Sequence, residues 1–352
     1  MQAPAGRQGG SPPWPVVGDN GPVRREVLRR RLDDLYRHYD QRFLDPDPLE
    51  PVRRQRTPAD REVVGLVASG LAFGNVIQIK RAVAHVLEAI GPRPAEAVAS
   101  LGARTLARRL RGFRYRWLDG HDVACLLAFA GQMRSSHGSI EAFFAEGLAA
   151  DAPDVGPALA SFSRRALALD HEGLYATRRL PPRAGVRYFF PSPEGGSACK
   201  RLNLYLRWMA RRGGVDLGVW RHPEPRQLVL PLDAHTHAIA RRLRFTRYRS
   251  PGWAMALDVT RRLRRFDPED PVKYDFALYR LDQWKEEERI RALEVARKTQ
   301  RVSPRSCPLP RQPGAPAAGG PDEDAAGLRS CGARRRGGRR APGASEKTAR
   351  PR

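Results

Sequence analysis

The chain has 352 residues and a formal net charge of +25, with a sequence pI near 11.1. Hydrophobic residues make up 41% of it, enough for a real core, and part of the length is not globular, so one or two closely packed domains are expected rather than three. The start, MQAPAGRQGGSPPWP, has no apolar leader and no uninterrupted apolar run reaches spanning length, which sets aside a membrane protein and leaves a soluble, reducing, cytoplasmic setting as the expectation.

So positive a charge favours a polyanionic partner, nucleic acid first. Arginine-rich tails and a GC-rich genome would raise it too. The cysteines are Cys125, Cys199, Cys307 and Cys331. They form no CxxC pair, so neither a zinc site nor a cysteine-held cluster is expected, nor any other cofactor.

Residues 1–22 are rich in proline and glycine and read as a disordered N-terminus. From Val23 a helical pattern puts Val27, Leu28, Leu32, Leu35 and Tyr39 on one face. The run Asp45-Pro46-Asp47-Pro48 breaks it. Thr57-Pro58 opens a second helix, a cap before a first-turn proline, with Val63, Val64, Val67 and Leu71 inward. Gly74-Asn75 marks a bend, and a third helix follows to Gly91-Pro92. Short helices are expected within 93–112. A longer one carries Val123, Leu126, Leu127 and Ala130, and two more lie within 139–180. VRYFFP is the one short strand candidate. The class is all-α: many short helices between glycine and proline turns.

The stretch from Gly195 to Leu243 holds the candidate chemistry. Pro191, Pro193, Gly195 and Gly196 turn the chain, and Ser197 can cap the helix that follows. Ala198, Leu202, Tyr205, Leu206 and Met209 form its apolar face, with Trp208 and Tyr205 as core packing or base stacking. Lys200, Asn203 and Arg207 lie on the other side. The turn and helix start offer amides to a phosphate. In the first helical turn the dipole disfavours a lysine's charge, the direction a nucleophilic amine needs. Spacing alone favours a solvated lysine on a polar helix face. Asp233 stands before the next helix as its N-cap. A carboxylate there can also offset a developing cation. His235 and His237, two apart on a helix, point in different directions, so packing or phosphate contact is expected and no metal.

Other features carry two readings. Phe113-Arg114-Tyr115-Arg116-Trp117 interleaves bases and rings as single-strand binders do, or anchors a loop by its aromatics. Asp267, Glu269, Asp270 and Asp275 with Lys273 could serve a two-metal nuclease, but prolines divide the run, and capping with surface pairing is expected. Helical character continues to about Lys298. Residues 299–352 read as a disordered basic tail.

The glycine turn, ACKRLNLYLRWM and PLDAHTHAIARRL together resemble the helix-hairpin-helix superfamily of DNA base-excision glycosylases. The separation of Lys200 from Asp233 brings it nearest the archaeal 8-oxoguanine glycosylase branch. The chain from about Val23 to Leu281 also resembles a family of uncharacterised bacterial proteins that share KRLNLYLRWM, PLDAHT and DPVKYDFALYRL. The glycosylase likeness implies a helical domain over 23–298, with two lobes around a central cleft that takes a flipped nucleotide. It implies Lys200 as nucleophile, Asp233 as charge stabiliser, and AP lyase activity on a damaged duplex, with an oxidised purine a candidate base. Gly195, Gly196, Ser197, Arg201, Arg207, Arg211, Arg241, His235 and His237 would contact DNA. Asn75 and Gln78 would reach a base edge. A bacterial, nucleoid-associated location would follow. The sequence departs from the superfamily in its turn, PSPEGGSA, and in lacking a four-cysteine loop. The alternative is a non-catalytic DNA- or RNA-binding protein on the same fold.

Overall fold

The computed structural model describes residues 22–279, except 40, 41, 43, 44, 46, 172, 176, 178 and 277. The expected disordered ends, the helical run after 279, and Cys307 and Cys331 lie outside the described residues. The fold is helical: α1 (Pro22–His38), α2 (Glu50–Arg53), α3 (Pro58–Gly70), α4 (Val76–Ile90), α5 (Pro94–Ser100), α6 (Ala103–Arg109), α7 (Gly120–His137), α8 (Ile140–Ala145), α9 (Gly156–Ala166), α10 (Lys200–Ala210), α11 (Ala234–Arg242) and α12 (Trp253–Arg264). Among the described residues, no helix is long and apolar enough to cross a membrane.

The centre of the core is α3 against α10. Pro58 begins α3, and the Thr57 hydroxyl accepts from the Asp60 amide at 3.0 Å. Val63, Val64, Val67 and Leu71 are all buried, as their spacing requires. Gly65 is what lets α10 close in: a Cβ there would stand 2.8 Å from Met209 Cε and 3.1 Å from the Tyr205 ring. Because α3 starts with one free amide satisfied by Thr57, Thr57→Ala should lower stability by about 1 kcal/mol, read as a lower urea midpoint at unchanged slope.

The next elements follow local signals. Asn75 caps α4, its Oδ1 accepting from the Ile77 amide at 2.9 Å, and Gly91 ends it at φ 84°. α7 opens with a capping box of Asp119 and Asp122, and Gly138 closes it in the left-handed region.

Three expectations are corrected. Val27 is 42% exposed, so α1 packs through Leu28, Leu32, Leu35 and Tyr36, with Tyr39 just beyond its end. VRYFFP forms no strand: Gly185–Phe189 is a short 3-10 turn, with the Arg187 guanidinium donating to the Leu180 and Pro181 carbonyls. The strands lie instead in two tiny antiparallel hairpins. β1 (Arg114–Tyr115) pairs with β2 (Leu118–Asp119), and β3 (Arg212–Gly213) with β4 (Asp216–Leu217).

The last correction concerns the polar side of α10. Asn203 and Arg207, placed opposite the apolar face, are buried, and so is Arg211 just beyond the helix. Arg207 Nε donates to Asp216 at 3.1 Å, and its NH1 to Asp275. Arg211 meets Asp216 at 2.8 Å and Asp270 at 2.8 Å, and donates to the Tyr36 hydroxyl at 2.8 Å. The β3–β4 hairpin delivers Asp216 between both guanidiniums. Asp270 and Asp275 are therefore not surface-paired. Asp267 behaves as expected, accepting from the Glu269 and Asp270 amides and pairing with Lys273 at 2.6 Å.

Candidate active site

The chain reaches Lys200 through a strained turn. Pro193–Gly195 makes one 3-10 turn, Gly196 takes φ 76°, and Cys199 takes φ 47°. The left-handed region disfavours a residue with a Cβ by about 1–2 kcal/mol, so Cys199 is held there by its surroundings. Its side chain is buried, and its amide donates to Ser197 Oγ at 3.1 Å. Ser197 thus caps the turn rather than α10, which begins at Lys200 with no side-chain cap.

From this first helical position the Lys200 side chain runs inward. Its Nζ donates to the Ala72 carbonyl, just past the end of α3, at 3.0 Å. Burial pushes its affinity for a proton below that of a solvated lysine, while the charges of Asp233, Asp275 and Asp47 pull the other way. The dominant cause is therefore burial, not the helix dipole that sequence reasoning invoked.

Asp233 caps α11, as its position implied: one carboxylate oxygen accepts from the Thr236 amide at 2.9 Å. Leu232 and Ile239 anchor that helix start in the core.

Lys200 and Asp233 line the same cavity, about 600 Å³ in volume. Its walls come from the segment after α3 (Ala72 to Val76), from α10, from the start of α11 and from Asp275, Phe276 and Tyr279. The size suits one compact organic group. The cavity is not a basic cleft. Asp47, Asp233 and Asp275 face Lys200, Arg201 and Arg207 around it. Burial raises the Asp275 carboxyl to about 6, against the pull of Arg207.

The other expected contact residues divide. Asn75 and His235 line the cavity, whereas Gln78 is exposed and outside its wall. His235 stands edge-on to Tyr279, and His237 Nε2 lies 3.0 Å from the Arg249 carbonyl. Gly195 and Gly196 are exposed, and with Ser197 stay outside the cavity wall. Arg241 is exposed on α11. Arg207 and Arg211 do not present themselves to a backbone phosphate, because both are committed to buried carboxylates. Arg201 is also turned inward, its guanidinium 3.2 Å over the Tyr188 ring and bonded to the Tyr188 and Gly70 carbonyls. Among the described residues no group of three His, Cys, Asp or Glu side chains could hold a metal ion.

Sequence reasoning missed Asp47, Phe73, Tyr188 and Asp275 as cavity walls. Asp47 was read only as a helix breaker and Tyr188 as part of a strand. For Asp47 and Phe73 the signal was proximity to breaks, at DPDP and Phe73-Gly74.

The molecule is thus a mostly helical protein in which an amine and a helix-capping carboxylate line one hollow. It belongs to the family described as protein of unknown function (DUF2400), whose model matches residues 47–284. No curated protein and no solved structure matches the chain.

Proposed function

We propose that this protein is a DNA base-excision glycosylase with AP lyase activity, built on a helix-hairpin-helix-like arrangement and acting on a nucleotide flipped from a damaged duplex. The observation that carries the reading is that Lys200 and Asp233, from two different helices, line one cavity of about 600 Å³. The resemblance of their flanking motifs to the glycosylases, nearest the archaeal 8-oxoguanine branch, supports it. An oxidised purine is the favoured base. The partner is DNA, and a nucleoid-associated, cytoplasmic location follows from it.

The chemistry is written from the amine outward. Neutral Lys200 attacks the sugar C1′, and the glycosidic bond breaks as the base leaves with the bonding pair and takes up a proton. Asp233 offsets the positive charge that builds on the sugar ring. Loss of the amine protons and ring opening give an imine to C1′. Removal of a C2′ proton then expels the 3′ phosphate and cuts the strand.

Borohydride reduction of the imine to a secondary amine tests this. Wild-type protein mixed with an oligonucleotide carrying an abasic site should form a covalent adduct, and failure to form one would count against the proposal. Asp233→Asn separates the two roles. Asparagine caps a helix as well as aspartate does, so stability should hold. Excision of an intact damaged base should slow by roughly 100-fold or more, as for other lost charge stabilisers. Adduct formation on a ready-made abasic site should persist, since no glycosidic bond remains to break. Gel assays on the two substrates check both halves.

A further inference from the structure

The interleaved segment Phe113 to Trp117 takes no part in the chemistry above. Phe113 and Tyr115 are buried, as a loop anchored by its aromatics requires. Trp117 is not: it is 60% exposed at the tip of the β1–β2 hairpin. Arg116 before it holds φ 58°, an unfavourable conformation for a residue with a Cβ. The Trp117 ring is nevertheless fixed. It stacks on Phe73 at 5.0 Å and 30°, and meets Tyr188 edge-on at 4.9 Å. Phe73 and Tyr188 both line the cavity of Lys200, so the exposed ring adjoins that cavity.

The opposite end of the hairpin borders a second concavity, about 340 Å³, between α6 and the start of α7. Arg104, Arg108, Arg111 and Arg114 line it. Asp119 is the carboxylate in its wall; it caps α7 and stands 3.9 Å from Arg114. Among the described residues no carboxylate reaches ion-pair distance of Arg104, Arg108 or Arg111. The Arg108 guanidinium donates to Thr105 Oγ1.

We propose that the β1–β2 hairpin binds an unpaired nucleic-acid strand, with a base lying on Trp117 and phosphates in the arginine concavity beside it. This rests on the nucleic-acid partner of the proposed function and not on its chemistry. A held, exposed ring loses little freedom on binding, and every base offers it a π face. Unpaired guanidiniums in a hollow suit phosphate. A polynucleotide carries rings and phosphates in alternation, which an acidic peptide does not. A base stacked on Trp117 has left its duplex partner, so the surface favours unpaired over paired strands.

Fluorescence anisotropy of a labelled single-stranded oligonucleotide with the full-length protein tests this. Trp117→Ala should weaken binding roughly ten-fold or more, and Trp117→Phe should keep most of it. The pair Arg104→Ser and Arg111→Ser should flatten the dependence of log affinity on log salt by about 1.4, or about 0.7 per lost phosphate contact. Wild-type affinity in Trp117→Ala, an unchanged salt slope, or equal competition by poly-glutamate would each overturn the proposal. If borohydride trapping fails while the Trp117 dependence stands, the glycosylase chemistry falls and the strand surface remains. Trapping with Trp117-independent binding gives the reverse.

Discussion

Replacing Lys200 by alanine should abolish the borohydride adduct. The amine supplies the electron pair that becomes the C–N bond, and among the described residues no other lysine lines its cavity. The loss should not come from unfolding, because the side chain contributes a single hydrogen bond, to Ala72, and a charge that burial disfavours. Lys200→Met, which keeps the aliphatic stem, should be as inactive and at least as well folded. The pH dependence has a definite sign. Burial lowers the lysine's affinity for its proton, so the neutral fraction grows as pH rises through a midpoint below the 10.5 of a free side chain. The initial rate of adduct formation should therefore climb with pH and level off before 10.5. Folding is linked in the same sense. Between the folded midpoint and 10.5 the unfolded chain holds more protons on this group than the folded one, so its contribution to stability improves as pH rises across that window.

Asp216→Ala should be the most damaging of the structural changes considered, at about 3–5 kcal/mol. Asp216 bridges Arg207 and Arg211, and its side chain, like that of Arg211, is only 2% exposed. Removing it leaves two buried guanidiniums with one carboxylate partner each, Asp275 and Asp270. The cost is the uncompensated charge, not the value of two ion pairs in isolation. Solvent does not screen a pair so enclosed, so added salt should recover little of the loss. Urea denaturation followed by far-ultraviolet circular dichroism would measure it. A loss under about 1 kcal/mol would mean that this network carries little net stability.

Much of the fold could be read locally. Thr57-Pro58, Gly74-Asn75 and Gly91-Pro92 are neighbour-to-neighbour signals, and the helices begin and end where those signals stand. Lys200 at a helix start and Asp233 as a cap were legible for the same reason. The burial of Arg207 and Arg211 was not. Two of their carboxylates are distant in sequence, Asp270 lying 59 positions from Arg211 and Asp275 68 from Arg207, and the nearer one, Asp216, is brought back by the β3–β4 hairpin. A helix face with arginine and asparagine looks solvated until those partners are known. The cavity was hidden for a related reason. The acceptor for Lys200 is a backbone carbonyl, which has no sequence signature, and two of the carboxylates opposite, Asp47 and Asp275, come from segments that read as a break or as surface. FRYRW shows both outcomes at once, with two rings anchored inside and one left on the surface.

The central claim is that one particular nitrogen forms the bond to sugar carbon. Tryptic digestion and mass spectrometry of the reduced protein–DNA adduct would locate it. The account predicts the added sugar fragment on Lys200. A fragment carried by another lysine or by the N-terminal amine would contradict it.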